Sequence, residues 1–149
     1  MRKSAVDGEP VDTCPKCGFI FWGNPKPVAS LLIVQDGKIL MIQRSQEPLK
    51  GYWCLPGGFI RWFETPEQAL IREVKEETGL NAKITRIIGV YQIDNDPRGI
   101  HLDIIYEGRA NGKVKINLKE HQKFDFFEAA KLPKLIAYKH REAIKDWVD

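Results

Sequence analysis

The stretch Gly57 to Leu80, GGFIRWFETPEQALIREVKEETGL, decides how the chain is to be read. Its second half carries the signals of a helix at both ends. Thr65 stands as N-cap, Pro66 at the first helical position, Gln68 where a capping-box partner belongs, and Gly79 just past the last turn. Stepping about 100° per residue places Leu70, Ile71 and Val74 on one arc. Glu73, Glu76 and Glu77 fall on another, with Ala69 in its middle, where a small side chain leaves room for a ligand. The segment is expected to present a core face and an acid face.

Such an acid face works against an isolated helix. Glu73 stands three and four residues before Glu76 and Glu77, where like charges cost about 0.2–0.5 kcal/mol a pair. The cluster also lies in the C-terminal half, where the helix dipole disfavours negative charge. Arg72 offsets part of the repulsion, and a divalent cation is the natural source of the rest. Three carboxylates from one helical turn suit Mg²⁺ or Mn²⁺, which keep waters for phosphate oxygens, better than Zn²⁺. Upstream, the glycine pair in Leu55-Pro56-Gly57-Gly58-Phe59 lets backbone atoms come close to a metal or a phosphate.

Around this segment the chain reads as β-rich. Pro27 to Val34 and Lys38 to Arg44 are strand-like and joined by Asp36-Gly37, a two-residue hairpin turn. A second hairpin is expected where His101 to Ala110 and Lys113 to Leu118 flank Asn111-Gly112, with further strands at Lys83 to Gln92 and Lys123 to Phe127. A second helix is expected from Pro133 to Trp147, with Ile136, Ala143, Ile144 and Trp147 on its apolar face. The fold class is therefore α/β or α+β, a sandwich with a mixed, largely antiparallel sheet. Residues 1 to about 13 are polar and aperiodic and read as a mobile lead-in. The expected organisation is a lead-in over 1–26 carrying Cys14-Pro15-Lys16-Cys17, and one domain over 27–149.

Composition narrows the partners. The chain has 149 residues, 43% of them hydrophobic, enough for one core without staples. Its net charge of +3 is spread without a basic block, which argues against nucleic acid and leaves a small anionic substrate. No apolar run of membrane-spanning or signal-peptide length occurs, so a soluble, cytoplasmic protein is expected. Three cysteines do not make a disulfide framework for a domain of this size.

The spacing Gly58, Glu64, Arg72-Glu73-Val74, Glu76-Glu77, Gly79-Leu80 resembles the Nudix box of the Nudix hydrolases, with every defining position filled. The resemblance implies an α/β/α sandwich over roughly residues 27 to 148. It implies Mg²⁺ or Mn²⁺ held by Glu73, Glu76 and Glu77, with the Gly57 carbonyl as a further ligand. It casts Arg72 and Glu64 as supports and Gly58 as a close-approach position. Glu120 is the candidate fourth acid, and either Glu73 or Glu120 the base that takes a proton from water. The implied reaction is attack of water on one phosphorus of a diphosphate linkage.

Substrate cues are of a finer grain. Tyr91 and the run Asp96-Pro97-Arg98-Gly99 resemble the loop after the box in ADP-ribose-hydrolysing members, while Arg44, Tyr91, Trp62 and Phe126 offer charge or stacking. A nucleoside diphosphate linked to another group, ADP-ribose foremost, is the expected substrate. The alternatives are a nucleoside-triphosphate pyrophosphohydrolase and a module that senses a nucleotide without cutting it. Cys14 and Cys17 resemble half of the zinc ribbon of NADH-pyrophosphatase-type members, a candidate structural zinc site whose other half is missing. That subgroup's motif after the box is also missing, so NADH is not the first substrate. A homodimer is among the assemblies the resemblance suggests.

Overall fold

In the computed structural model, which describes residues 1–149, the chain opens with β1 (Arg2–Val6), β2 (Glu9–Thr13) and β3 (Ile20–Phe21). These three form an antiparallel sheet of their own, where the sequence pattern indicated no regular structure over residues 1 to about 13. Its turn is Asp7-Gly8, both at positive φ, a hairpin signal that the polar strands around it mask.

The main sheet is built from β4 (Lys26–Gln35), β5 (Lys38–Arg44), β6 (Trp53–Cys54), β7 (Gly57–Phe59), β8 (Asn81–Ile93), β9 (His101–Asn111) and β10 (His121–Phe127). The helices are α1 (Pro66–Thr78), between β7 and β8, and α2 (His140–Val148), after a 3₁₀ turn at Ala129–Lys131. The long strands lie in the order β10-β5-β4-β9-β8; β4 and β9 run parallel and every other pair is antiparallel. The mixed, largely antiparallel sheet is as expected. Asp36 and Gly37 both adopt positive φ and turn β4 into β5.

Side-chain alternation divides the core in two. Ala29, Leu31, Ile33, Leu40 and Tyr106 face α1, packing on its Leu70 and Val74. Leu32, Ile39, Met41 and Ile105 face α2, packing on Ala143 and Ile144. A strand buried on both faces reads as a continuous apolar run, and Leu31-Leu32-Ile33 of β4 is that run. Ala69 is also fully buried and Ile71 is half exposed, so the helix is turned relative to the expected arcs.

Two expected elements change. Lys113 to Leu118 is not a strand, because β8 already fills the free edge of β9. Its backbone instead serves α1: Lys115 N–H donates to the Thr78 carbonyl and Asn117 N–H to that of Glu77. Those carbonyls belong to the last turn, which has no partners within the helix. The second helix starts seven residues later than expected, at His140 rather than Pro133. Residues 135–137 run beside Trp53 and bond to its backbone, and Tyr138 takes φ 58°, outside the helical region.

One departure from regular pairing makes the site. β4 and β5 pair only over Val34↔Ile39 and Gln35↔Lys38, next to their turn. Beyond that β6 pairs with β5, and β7 pairs with β4 at Val28↔Phe59, Ala29↔Gly58 and Ser30↔Gly57. The segment 53–59 thus lies in the fork between the two strands, and α1 leaves from it.

Candidate active site

The capping box at Thr65 is complete: its hydroxyl accepts from Gln68 N–H, and the Gln68 side chain accepts from Thr65 N–H. The helix so fixed sets its acids over the glycines of β7. Gly57 N–H donates to Glu77 Oε2 at 2.8 Å. A Cβ on Gly58 would lie 2.5 Å from Glu73 Cδ, and one on Gly57 would lie 2.3 Å from the Ala29 carbonyl oxygen. A side chain at Gly57 would collide with backbone, and one at Gly58 would have to push the Glu73 carboxyl aside.

Arg72 joins loop to helix. Its Nε and Nη2 donate to the two oxygens of Glu64 at 2.6 and 2.9 Å, and its Nη2 also reaches the Phe59 carbonyl at 3.2 Å. Its Nη1 donates to Glu73 Oε1 and to Glu76 Oε2. The bidentate pair holds the Glu64 carboxyl down at about 2, so both partners stay charged.

Beside this junction opens a cavity of about 440 Å³. Its mouth is lined by Arg44, Gly57, Gly58, Arg72, Glu73, Glu76, Glu77, Glu120 and His121. Glu77 is buried, and burial pushes its carboxyl well above the usual range; Glu73 and Glu120 push it further while Gly57 N–H and Arg44 pull it back. Burial also raises Glu73, with Arg72 opposing. His121 adds no compensating cation: burial and Arg44 push its imidazole down to about 4, and its Nε2 stands 3.6 Å from Glu77 Oε1. Arg72 answers Glu73 and Glu76 but not the buried Glu77, which has one backbone N–H, and the hard oxygen donors of the cluster fit a divalent cation such as Mg²⁺. In the structure Glu73 and Glu76 are turned onto Arg72, and no three acids converge on one point.

Of the other residues singled out in the sequence, Arg98 lines the cavity and pairs with Asp96, while Glu64 lies behind Arg72. Three are not brought to the site. Tyr91 donates its hydroxyl to Asp146 of α2 at 2.6 Å, and Phe126 packs into the α1-side core. Trp62 is 95% exposed outside the cavity. The zinc reading of Cys14 and Cys17 is corrected: no third His, Cys, Asp or Glu joins them, and Cys54 is buried in the main sheet with its thiol on the Ile42 carbonyl.

The inner end of the cavity was not foreseen. Ser30, His101, Asp103, Tyr138 and His140 line it, from β4, β9 and the start of α2. In the sequence Ser30 and Asp103 are single polar residues in apolar runs and His140 lies in a charged one; the parallel pairing of β4 with β9, which sets Val28 beside Asp103, and the 3.1 Å approach of His140 to Asp103 bring them together.

Fold and site together define a class of protein: an α/β/α sandwich that sets a carboxylate-bearing helix over a glycine loop at the mouth of a polar cavity. The chain belongs to the NUDIX domain family, whose model matches residues 24–147, and is a metal-dependent pyrophosphohydrolase. It is 40% identical over 127 residues to the ADP-ribose pyrophosphatase of Methanocaldococcus jannaschii, covering 84% of this chain and 74% of that one. With the CTP pyrophosphohydrolase of Escherichia coli it shares 34% over 96 residues, covering 64% and 70%. A crystal structure of a NUDIX hydrolase from Nitrosomonas europaea superposes with a TM-score of 0.83 at 25% identity, over 97% of this chain and 82% of the other.

Proposed function

We propose that the chain cleaves the diphosphate linkage of a nucleoside diphosphate joined to a second group, with ADP-ribose as the favoured substrate. The observation that carries the reading is the pairing, around one cavity, of the Glu73, Glu76 and Glu77 cluster with two flanking cations, Arg44 and Arg98. The likeness to the M. jannaschii ADP-ribose pyrophosphatase supports the choice of ADP-ribose.

In this proposal Glu73, Glu76, Glu77 and the Gly57 carbonyl hold the divalent ion. When bound, that ion would neutralise the diphosphate and lower the pKa of a water so that hydroxide is available near neutral pH. Arg72, anchored on Glu64, positions Glu73 and Glu76. Gly58 keeps the loop close beneath Glu73. Arg44 and Arg98 attract the phosphate charge, and Glu73 or Glu120 accepts the proton of the attacking water. Zinc plays no part in the scheme. A triphosphate substrate is the second reading, favoured by the likeness to the E. coli CTP pyrophosphohydrolase.

The test incubates the protein with Mg²⁺ and, in parallel, ADP-ribose, NADH, a diphosphate sugar and a triphosphate, with Glu77→Gln as control. AMP and ribose 5-phosphate from ADP-ribose, absent with the variant, is the expected result. Cleavage of the triphosphate alone would move the assignment to the second reading. Binding of nucleotides without cleavage of any would replace both with a sensing role.

A further inference from the structure

At the inner end of the cavity two buried polar atoms have no partner. Asp103 is 1% exposed; its Oδ2 accepts from Ser30 Oγ at 3.0 Å, and His140 Nε2 lies 3.1 Å away. Leu55 N–H donates to His140 Nδ1 at 3.0 Å, which fixes the proton on Nε2 and makes the imidazole a second donor to Oδ2. One carboxylate oxygen is thus doubly bonded and the residue cannot turn. The other, Oδ1, accepts nothing. Two residues earlier on the same strand, hence on the same face, His101 presents its Nδ1 toward Asp96 Oδ2 at 3.7 Å. Its Nε2 is likewise without a partner, and accepts in the tautomer that carries the proton on Nδ1. Native proteins rarely leave buried polar atoms unpaired, so each such atom calls for an explanation.

The walls narrow the choice of ligand. The Phe59 and His101 rings meet edge to face with centroids 5.0 Å apart, and Arg98 lies over the Phe59 ring at 5.2 Å while donating to Tyr138 Oη at 3.1 Å. Aromatic and guanidinium surfaces suit a flat ring better than a sugar. An amino group on such a ring carries an N–H donor for Asp103 Oδ1, whereas an oxo group in the same place would face the Asp103 carboxylate with lone pairs.

We propose that the inner end of the cavity is a base-recognition subsite in which Asp103, clamped by Ser30 and His140, reads the exocyclic amino group of an adenine or cytosine. The subsite deepens the proposed function, since it rests on the cavity being the nucleotide site. It does not depend on which group leaves.

The test is steady-state kinetics with Mg²⁺ on pairs that exchange amino for oxo, and with it an acceptor ring nitrogen for an N–H: ADP-ribose against inosine diphosphoribose, and CTP against UTP. For whichever pair is cleaved, the amino member is expected to have a kcat/KM about 10- to 100-fold higher, chiefly through KM. Asp103→Asn keeps one oxygen for Ser30 and His140 and turns an NH₂ into the cavity, so it should abolish or reverse the preference; thermal melting checks that it folds. Equal kcat/KM within every cleaved pair for the unaltered protein would overturn the subsite without reference to the variant. If no pair is cleaved, calorimetric binding of the same pairs decides, and equal Kd values overturn it. Cleavage of CTP over UTP with ADP-ribose untouched would sink the ADP-ribose reading and leave the subsite standing.

Discussion

Glu77 shows how a single residue serves stability and function in opposite senses. Its carboxyl is buried near Glu73 and Glu120, with only one backbone N–H at hydrogen-bonding distance. A divalent ion relieves this, so Mg²⁺ should raise the melting temperature of the protein, and Glu77→Gln should remove most of that rise by thermal shift. In the same variant kcat/KM should fall by more than the roughly 10- to 100-fold typical of outer-sphere partners. A variant that retained both the Mg²⁺ shift and full activity would take Glu77 out of the metal site. Asp96 and Arg98 give a pH-dependent counterpart. Asp96 is fully buried in its side chain, and its bidentate pairing with Arg98 holds its carboxyl below the usual range. A depressed folded-state value contributes stability above the unfolded value of about 4, and that contribution disappears as pH falls through the folded value. Arg98→Gln should therefore cost about 1 kcal/mol at pH 7, a figure kept low because Arg98 is partly open to solvent. The difference from the unaltered protein should shrink in urea melts at successively lower pH below 4. The candidate acids of this site were legible as residues because their spacing contradicts helix electrostatics. Asp103 and His140 were not, because a lone polar residue in a strand or at a helix start carries no local signal until pairing gives it neighbours.

At the scale of elements, the glycines of β7 separate what the helix needs from what the sheet needs. A methyl on Gly58 meets the end of the flexible Glu73 side chain, which can move. Gly58→Ala should therefore leave the melting temperature within a few degrees of the original while displacing Glu73, a metal ligand in the proposed function, with activity falling about 10- to 100-fold. A methyl on Gly57 meets the backbone of Ala29 and Ser30 in the central strand. Gly57→Ala should cost about 1–3 kcal/mol in denaturant unfolding, as overpacking does. Comparable losses of stability in both would refute the distinction. The helix above them was legible nearly to the residue, since Thr65, Pro66, Gln68 and Gly79 act on their own backbone. The segments 113–118 and 133–139 were misread for the opposite reason. Their strand-like and helix-like patterns are real, but their backbone bonds go to the end of α1 and to Trp53, partners that local pattern does not reveal.

At the scale of the whole molecule, the catalytic fold and the N-terminal sheet are joined by covalent continuity more than by bonding. β1, β2 and β3 pair only with one another, and the ion pair and side-chain hydrogen bonds of residues 1–22 all fall within that segment. The match to the family model begins at residue 24, just beyond it. The sheet buries little: Val11 is its one buried apolar side chain, while Phe19, Phe21 and Trp22 stay about half exposed or more. A small sheet with so little apolar cover is marginally stable by itself. Its amides should therefore exchange with solvent through local opening, at free energies well below that of global unfolding, whereas amides of β4 and β9 should exchange only with the global event. Native-state hydrogen exchange read by mass spectrometry distinguishes the two classes peptide by peptide. Deleting residues 1–22 should then leave kcat/KM unchanged within about twofold and the melting temperature within about 3 °C. If β1–β3 instead exchange with the core, or the deletion unfolds the protein, the N-terminal sheet is part of the cooperative unit and the boundary near residue 24 separates sequence families but not folding units.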